Sequence, residues 1–411
     1  MIRRDIKIDD IPFYVKILLI FLPWFCIPGI GQLPIPLAVV ALIYLIFQHK
    51  IYNKILFPVY FRVYPFRAAL VLFFVYSVLS ALLGLINLSI LGKTTLHLYD
   101  FDVSYTPIVL QRLFLLSMCL GVMEIMRSQR WVLERVLYYW LIGMSVAVII
   151  HVLCNVAISD ELTRKGSLFK EGNHAGLYYI VSFFCGLEYI RITRDKIGYQ
   201  FVALDIVGLL LTQSSAGILT LGLTIWVRQL FLSKTMASFF RTILISGVAV
   251  IVLLNSIDSF EFGAKIKEKL FEEEITAASF SRMDRMESVN IAVTLFMDNP
   301  VIGQGLQTYG FLTNDLLKGV LLDAYDFSYR RIPNNIYAEI IAEQGVVGFI
   351  SFSLILCMVV FIIFRNKRDK NYNFLAGTLG VLGYWFAFPT YTILYIWVFW
   401  GIAINNRVGN E

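Results

Sequence analysis

Residues 345–364 read GVVGFISFSLILCMVVFIIF, twenty positions without a charge. At 1.5 Å of rise per residue the stretch makes a helix about 30 Å long, the thickness of a bilayer's hydrocarbon core. The basic run Arg365, Lys367, Arg368 and Lys370 follows at once, as expected where a helix leaves the membrane. Outward from this run the pattern repeats. Of the 411 residues 58% are hydrophobic and only 16% charged, where a soluble domain is about a quarter charged, and the mean hydropathy is +0.72. A water-soluble class is excluded. Apolar runs bounded by charges or turn residues place twelve spans at about 12–28, 33–48, 67–87, 105–126, 132–157, 174–190, 201–213, 216–233, 242–257, 345–364, 373–388 and 390–405. The expected fold is an all-α integral membrane protein with about twelve transmembrane helices. The seventh and eighth runs are short and meet at Gln213 to Ser215, which suggests a helical hairpin. The first run lacks a cleavage-site pattern and is read as a retained helix.

Basic residues orient these spans. With the N-terminus inside, the inner segments collect 21 Lys and Arg and the short outer loops only 4, namely Lys93, Arg164, Lys165 and Lys170. Both termini are therefore expected in the cytoplasm. Residues 258–336 become one large outer region with 12 acidic and 8 basic residues, so arginines there are local features on an acidic background. The expected domains are spans one to nine over 1–257, an outer loop or cap with amphipathic helices over 258–344, and spans ten to twelve over 345–411. The formal charge of +6 mostly marks the inner face and does not indicate a nucleic-acid partner. The five cysteines form no CxxC pair, so neither a disulfide framework nor a metal site is indicated.

Chemistry-bearing residues gather in three outer clusters. The loop 164–174, RKGSLFKEGNH, sets Arg164, Lys165 and Lys170 ahead of Asn173 and His174 at a helix start, a combination suited to an anion because guanidinium forks and the helix N-terminus both attract it. The bland alternative is a set of solvated loop charges and a cap. Residues 281–311 place Arg282 and Arg285 on one helical face, then Asn299-Pro300 and the turn Gly303-Gln304-Gly305, either a phosphate cradle or a simple turn. Residues 330–349, RRIPNNIYAEIIAEQGVVGF, start an amphipathic helix with Glu339 and Glu343 four apart. Arg112, inside the fourth run, lines a substrate cavity or satisfies a carbonyl.

The last two clusters in this order resemble the O-antigen ligase and O-antigen polymerase superfamily. Arg285 stands fifteen residues before Pro300, followed by Val301-Ile302-Gly303-Gln304-Gly305; Asn334-Asn335 are followed by nine residues and Gly345-Val346-Val347-Gly348. Arg164 to Gly176 is similar to the family's earlier loop, and Ser214-Ser215-Ala216-Gly217 to a Ser-Arg-Gly-like turn, with Ser215 where Arg is expected. The resemblance covers about 160–350. It implies a glycosyltransferase C-like membrane fold, substrates carried on undecaprenyl pyrophosphate, no nucleotide sugar, cofactor or metal, a chain-length regulator as partner, and a periplasmic active site in a bacterial inner membrane.

Ligases of this superfamily carry a His, proposed to help activate the acceptor hydroxyl, where this chain has Asn334. The expectation is therefore a polymerase that joins lipid-linked repeat units into O-antigen or a related surface polysaccharide. An O-antigen ligase with an atypical acceptor and a lipid-linked oligosaccharide flippase are the alternatives. Arg164, Arg285 and Arg282 are the catalytic candidates, because stabilising charge on a departing pyrophosphate suits preorganised arginines. Arg112, Asn173, His174, Asn334, Asn335, Gly303, Gly305 and Glu339 are the candidate substrate-binding residues. His174, Glu171, Glu339 and Asp323 are candidate proton acceptors.

Overall fold

The computed structural model describes residues 11–24, 65–98, 102–128, 131–157, 168–169, 171–233, 235–238, 240–244, 277–313, 316, 331–365, 372–388 and 390–405. Within them the chain is almost wholly helical. The helices are α1 (Phe13–Phe21), α2 (Pro65–Ile90), α3 (Tyr105–Ser128), α4 (Leu133–Ala157), α5 (Gly172–Thr193), α6 (Ile197–Leu211), α7 (Ser215–Leu232), α8 (Ala277–Asp298), the single turn α9 (Tyr309–Leu312), α10 (Ile336–Arg365), α11 (Tyr372–Tyr384) and α12 (Leu394–Ile404). A two-stranded antiparallel ladder, β1 (Thr95–His97) and β2 (Asp102–Ser104), joins α2 to α3 with Leu96 opposite Val103.

Six of these helices, α2, α3, α4, α5, α7 and α10, are long and apolar enough to cross a membrane. The protein is a multi-pass membrane protein. The expected runs at 33–48 and, apart from its first residues, 242–257 lie outside the described residues, as do residues 258–276 of the expected outer region. α6 and α12 are apolar but shorter. At the α6–α7 hairpin Gln213 takes φ +51°, and the Ser214 hydroxyl caps α7 by accepting from the Gly217 amide at 3.1 Å.

Two expected helices meet differently from the sequence reading. α11 ends at Tyr384, a 3₁₀ turn follows over Trp385–Ala387, and α12 begins only at Leu394. Between them Phe388, Tyr391 and Ile393 are buried in irregular backbone. Such backbone is tolerated at membrane depth only where protein surrounds it, and Trp385, Trp397, Trp400 and Tyr395 supply that surround.

Hydrophobic side chains form two cores. The larger runs through the bundle from α1 to α12. The smaller sits at one end, where Ile291, Ala292 and Leu295 of α8 meet Leu306, Tyr309, Phe311 and Leu312, with Ala338 and Ala342 of α10, Ala81 and Leu88 of α2, and Tyr105 and Val109 of α3. This small core fixes α8 against α10. At the opposite end, buried Glu124 of α3 takes Arg67 and Arg127, and buried Glu188 of α5 takes Arg191 and Asn373. The bundle thus has an arginine-paired face and a face formed by α8, α9 and the helix ends near Asn173, Ser214 and Tyr384.

Candidate functional site

Successive residues of a helix point 100° apart, and on α8 this separates Asp284 from Arg285. The Asp284 carboxylate turns to the segment before α10, where it accepts from Arg331 and, at 3.0 Å, from the Asn334 side-chain amide. Arg331 is 2% exposed, so the pair is a buried clamp between α8 and the approach to α10. Arg285 turns the other way. It is half-buried, its guanidinium has no hydrogen-bond partner among the described residues, and it lies within electrostatic reach of the Tyr384 hydroxyl.

That hydroxyl ties three elements together. It donates to the Asn173 carbonyl at 3.0 Å and lies 3.1 Å from the Ser214 hydroxyl, which in turn donates to Asn173 Oδ1 at 3.0 Å. The start of α5, the α6–α7 turn and the end of α11 therefore converge on the Tyr384 hydroxyl, and Arg285 lies within electrostatic reach of it. Glu171, half-buried one residue before α5, is also within electrostatic reach of Tyr384. His174 is buried, with its ring centre 4.7 Å from that of Phe388 and its carbonyl accepting from Tyr395. Behind Arg331, burial raises the Tyr309 hydroxyl above its ordinary range, with Arg331 opposing; it stays protonated and donates to the Ser288 carbonyl at 2.9 Å.

The glycines read as a cradle do something else. Their turn is spliced into a kink of α10, where Gly345 takes φ +61° and ψ −164°, a combination open essentially to glycine. The amides of Gln304 and Gly305 donate to the Ala342 and Glu343 carbonyls that the kink frees, at 3.0 and 2.7 Å. In return Val346 and Val347 donate to Pro300 and Val301. The Gly303 amide bonds Asn299, and the Leu306 amide reaches Ser80 of α2. Gly303 and Gly305 are thus corrected from anion ligands to docking residues, because their amides are already engaged inside the protein. Their lack of side chains is needed for the same contact: a Cβ on Gly303 would lie 2.4 Å from the Glu343 carbonyl carbon, and one on Gly305 2.1 Å from the Gly84 Cα.

The amphipathic helix ahead of Gly345 turns its two carboxylates into the protein. Glu339 and Glu343 are each 2% exposed, facing inward. Glu343 accepts from the Tyr309 amide at 3.3 Å. Glu339 pairs with Arg112 of α3 and accepts from Gln307 at 3.3 Å. Arg112 also donates to the Thr390 and Thr392 hydroxyls and stacks 4.4 Å from the Tyr391 ring centre. Its charge is balanced within the protein and braces the irregular 388–393 segment, which corrects the reading of Arg112 and Glu339 as open substrate ligands. Asn335 is likewise corrected to the cap of α10, its Oδ1 accepting from the Tyr337 and Ala338 amides at 3.0 and 3.1 Å.

Of the sequence candidates the structure thus links Asn173 to Arg285 through Tyr384, sets His174 beside Asn173 in the first turn of α5, and bonds Asn334 to Asp284, the neighbour of Arg285. Arg164 and Asp323 lie outside the described residues, and Arg282 is placed on α8, one turn from Arg285, by its backbone alone. Sequence reasoning missed Tyr384 and the Arg331–Asp284 clamp. Arg331 stood in plain view beside Pro333-Asn334, and an arginine next to a helix start opposite a lone Asp on an amphipathic helix is a usable signal. Tyr384 lies in an apolar run with many aromatics and carried none.

Comparison with known proteins bears on the middle of the chain. Residues 200–353 match the family model described as O-Antigen ligase. That stretch is similar to the O-antigen ligase/polymerase family. The match runs from α6 to the middle of α10 and so contains Ser214, Asp284, Arg285, Arg331 and the Gly345 splice; Asn173, Arg112 and Tyr384 come from outside it. Family members are membrane glycosyltransferase-type ligases and polymerases of lipid-linked polysaccharide assembly. No curated protein shows a significant match to the chain.

Proposed function

We propose that this protein is a polysaccharide polymerase that transfers a growing glycan from undecaprenyl pyrophosphate to a hydroxyl of a second lipid-linked repeat unit, building O-antigen or a related surface polysaccharide. The observation that carries the reading is Arg285, a half-buried guanidinium without a hydrogen-bond partner among the described residues, within electrostatic reach of the Tyr384 hydroxyl at which α5, the α6–α7 turn and α11 meet. In the reaction the bond between the anomeric carbon and the pyrophosphate oxygen breaks, the acceptor oxygen bonds to that carbon, and the hydroxyl proton departs. Undecaprenyl pyrophosphate leaves as the anion. Arg285, with Arg164 from the loop before α5 and Arg282 one helical turn away, stabilises that developing charge. Asn173 and His174 position the substrates, and Glu171 takes the acceptor proton; Glu339 is unsuited to that task because Arg112 already occupies it. Asn334, bonded to Asp284, supports the clamp and cannot act as a base.

Polymerase is favoured over ligase because an amide stands where ligases place an imidazole, and that amide faces the Asp284 carboxylate. Arg112, the in-span arginine that a flippase reading would use, is paired with Glu339. The reaction is placed at the periplasmic face of a bacterial inner membrane, with both termini cytoplasmic, the outer region 258–344 capping the site between spans 1–257 and 345–411, and a regulator protein setting chain length. The test is to incubate the purified protein with a synthetic undecaprenyl-pyrophosphate repeat unit and no nucleotide sugar. A ladder of longer glycans on the lipid supports the polymerase. Transfer only to a lipid A core acceptor selects the ligase, and neither product refutes both.

A further inference from the structure

The surface of α8 is divided along its length. With successive residues about 100° apart, Met286, Val293 and Met297 fall within about 40° of one another, and all three are exposed. Ile291, Ala292 and Leu295 take the opposite side, inside the small core. Next to the exposed stripe runs a polar flank: Thr294, Asp298 and the following Asn299 are exposed, and Asn290 at the stripe's edge turns its amide to Glu287 at 3.4 Å. One apolar face is thus used by the core and a second is left uncovered. The stripe runs on into the turn after α8, where Val301 is 61% and Ile302 41% exposed. The neighbours of that turn fix where it lies. The Val346 and Val347 amides donate to the Pro300 and Val301 carbonyls at 2.9 and 3.2 Å, and the Tyr76 hydroxyl lies 3.2 Å from the Ile302 carbonyl oxygen. Both neighbours, α10 and α2, are long and apolar enough to span the membrane. Beside the turn α10 exposes Val346, Val347 and Ile350, and beyond Tyr76 α2 exposes Leu79, Leu82 and Ile86. Apolar side chains exposed on spanning helices face acyl chains. Val301 and Ile302 are therefore level with the lipid-facing residues of two spans and continue their surface.

We propose that the apolar stripe of α8 and the turn after it are seated in the bilayer, among acyl chains of the leaflet on the Arg285 side, while the flank of Thr294, Asp298 and Asn299 stays in water. The helix is not one of the six candidate spans, and its sequence places it in the expected outer region. Its two-sided surface suits an interfacial helix, the kind that buries one face about 5–10 Å into the boundary between headgroups and acyl chains. The bilayer is the occupant that the position itself supplies, because the stripe is continuous with faces of α2 and α10 that lipid already covers. Seating the stripe needs no substrate, so the proposal stands or falls independently of the polymerase assignment.

Single cysteines replace Met297, Ile302 or Thr294 in a cysteine-free background, each is labelled with a nitroxide, and the full chain is reconstituted into phosphatidylcholine vesicles. Electron paramagnetic resonance then compares collisions of each label with oxygen, which concentrates among acyl chains, and with a water-soluble nickel chelate. Labels at Met297→Cys and Ile302→Cys are expected to favour oxygen, as does a reference label at Ile350→Cys on the lipid face of α10. The label at Thr294→Cys is expected to favour the chelate. Unfolding midpoints establish which variants are folded, and Met286→Cys or Val301→Cys replaces one that is not. A preference for the chelate at Met297→Cys and Ile302→Cys overturns the proposal, since the stripe then stands in water. Low access of both probes at those positions overturns it in favour of a protein cover, and spin–spin broadening then identifies that cover as a second copy of the chain.

Discussion

Asp284 and Arg285 are adjacent on α8, yet one charge is buried in a clamp and the other is held open toward Tyr384. Their substitutions should therefore separate. Arg285→Ala is expected to cut chain growth by about 10²–10³, the worth of one preorganised donor to a developing anion. The unfolding midpoint in detergent should barely move, because the side chain has no hydrogen bond to lose among the described residues. Asp284→Ala should instead destabilise the fold by about 3–5 kcal/mol, because it leaves the buried Arg331 guanidinium without its carboxylate. Comparing glycan ladders with thermal unfolding for the two variants checks both. A third residue-scale contrast concerns the asparagines. Asn335→Ala removes the α10 cap and should cost about 1 kcal/mol of stability with turnover retained, read by the same pair of measurements. Which asparagine caps and which clamps was not legible in the sequence, since both precede the helix and both side chains suit either task.

Elements meet in this protein through exchanged backbone bonds as much as through apolar contact. The turn after α8 and the kink of α10 satisfy each other's amides and carbonyls, and glycine makes the exchange sterically feasible. Gly345→Ala places a side chain at φ +61° and a Cβ 2.5 Å from the Val301 carbonyl oxygen. The backbone strain alone is about 1–3 kcal/mol, and relieving the overlap means undocking the turn. The expected result is a lower unfolding midpoint together with new protease sensitivity between Asn299 and Leu306. The sequence displayed both glycine pairs at the family's spacing, and it offered a simple turn as the default reading with a phosphate cradle as the sharper alternative. Only contact between segments some forty residues apart decides between them. The Arg112–Glu339 pair makes the same point between α3 and α10. Arg112→Met should destabilise strongly by leaving Glu339 charged and buried, and the double variant Arg112→Met/Glu339→Leu should recover much of that loss, as replacement of a buried ion pair by apolar side chains often does. A double-mutant cycle on unfolding midpoints measures the recovery.

Across the whole molecule, charge and hydropathy alone predicted a multi-pass helical chain with basic inner loops, and Arg67, Arg127 and Arg191, all expected inside, pair with carboxylates at the end of the bundle away from α8. Single cysteines in a cysteine-free background test the orientation: Asn299→Cys should react with an impermeant thiol reagent added to intact spheroplasts, and Ser128→Cys only after permeabilisation. Reaction in the reverse order would invert the topology and move the proposed site to the cytoplasm. Apolar length, the positive balance of the inner loops and the spacing of Arg285, Pro300 and the glycines are local properties, so the sequence by itself determined the multi-pass membrane class and the family resemblance. The role of each polar residue is a property of what faces it. Tyr384 on Asn173 and Ser214, Arg331 on Asp284 and Arg112 on Glu339 join elements from 47 to 227 residues apart. Burial makes an unpaired charge costly, so packing pairs Arg112 and Arg331 with carboxylates, and only the tertiary structure decided that Arg285 keeps no hydrogen-bond partner among the described residues.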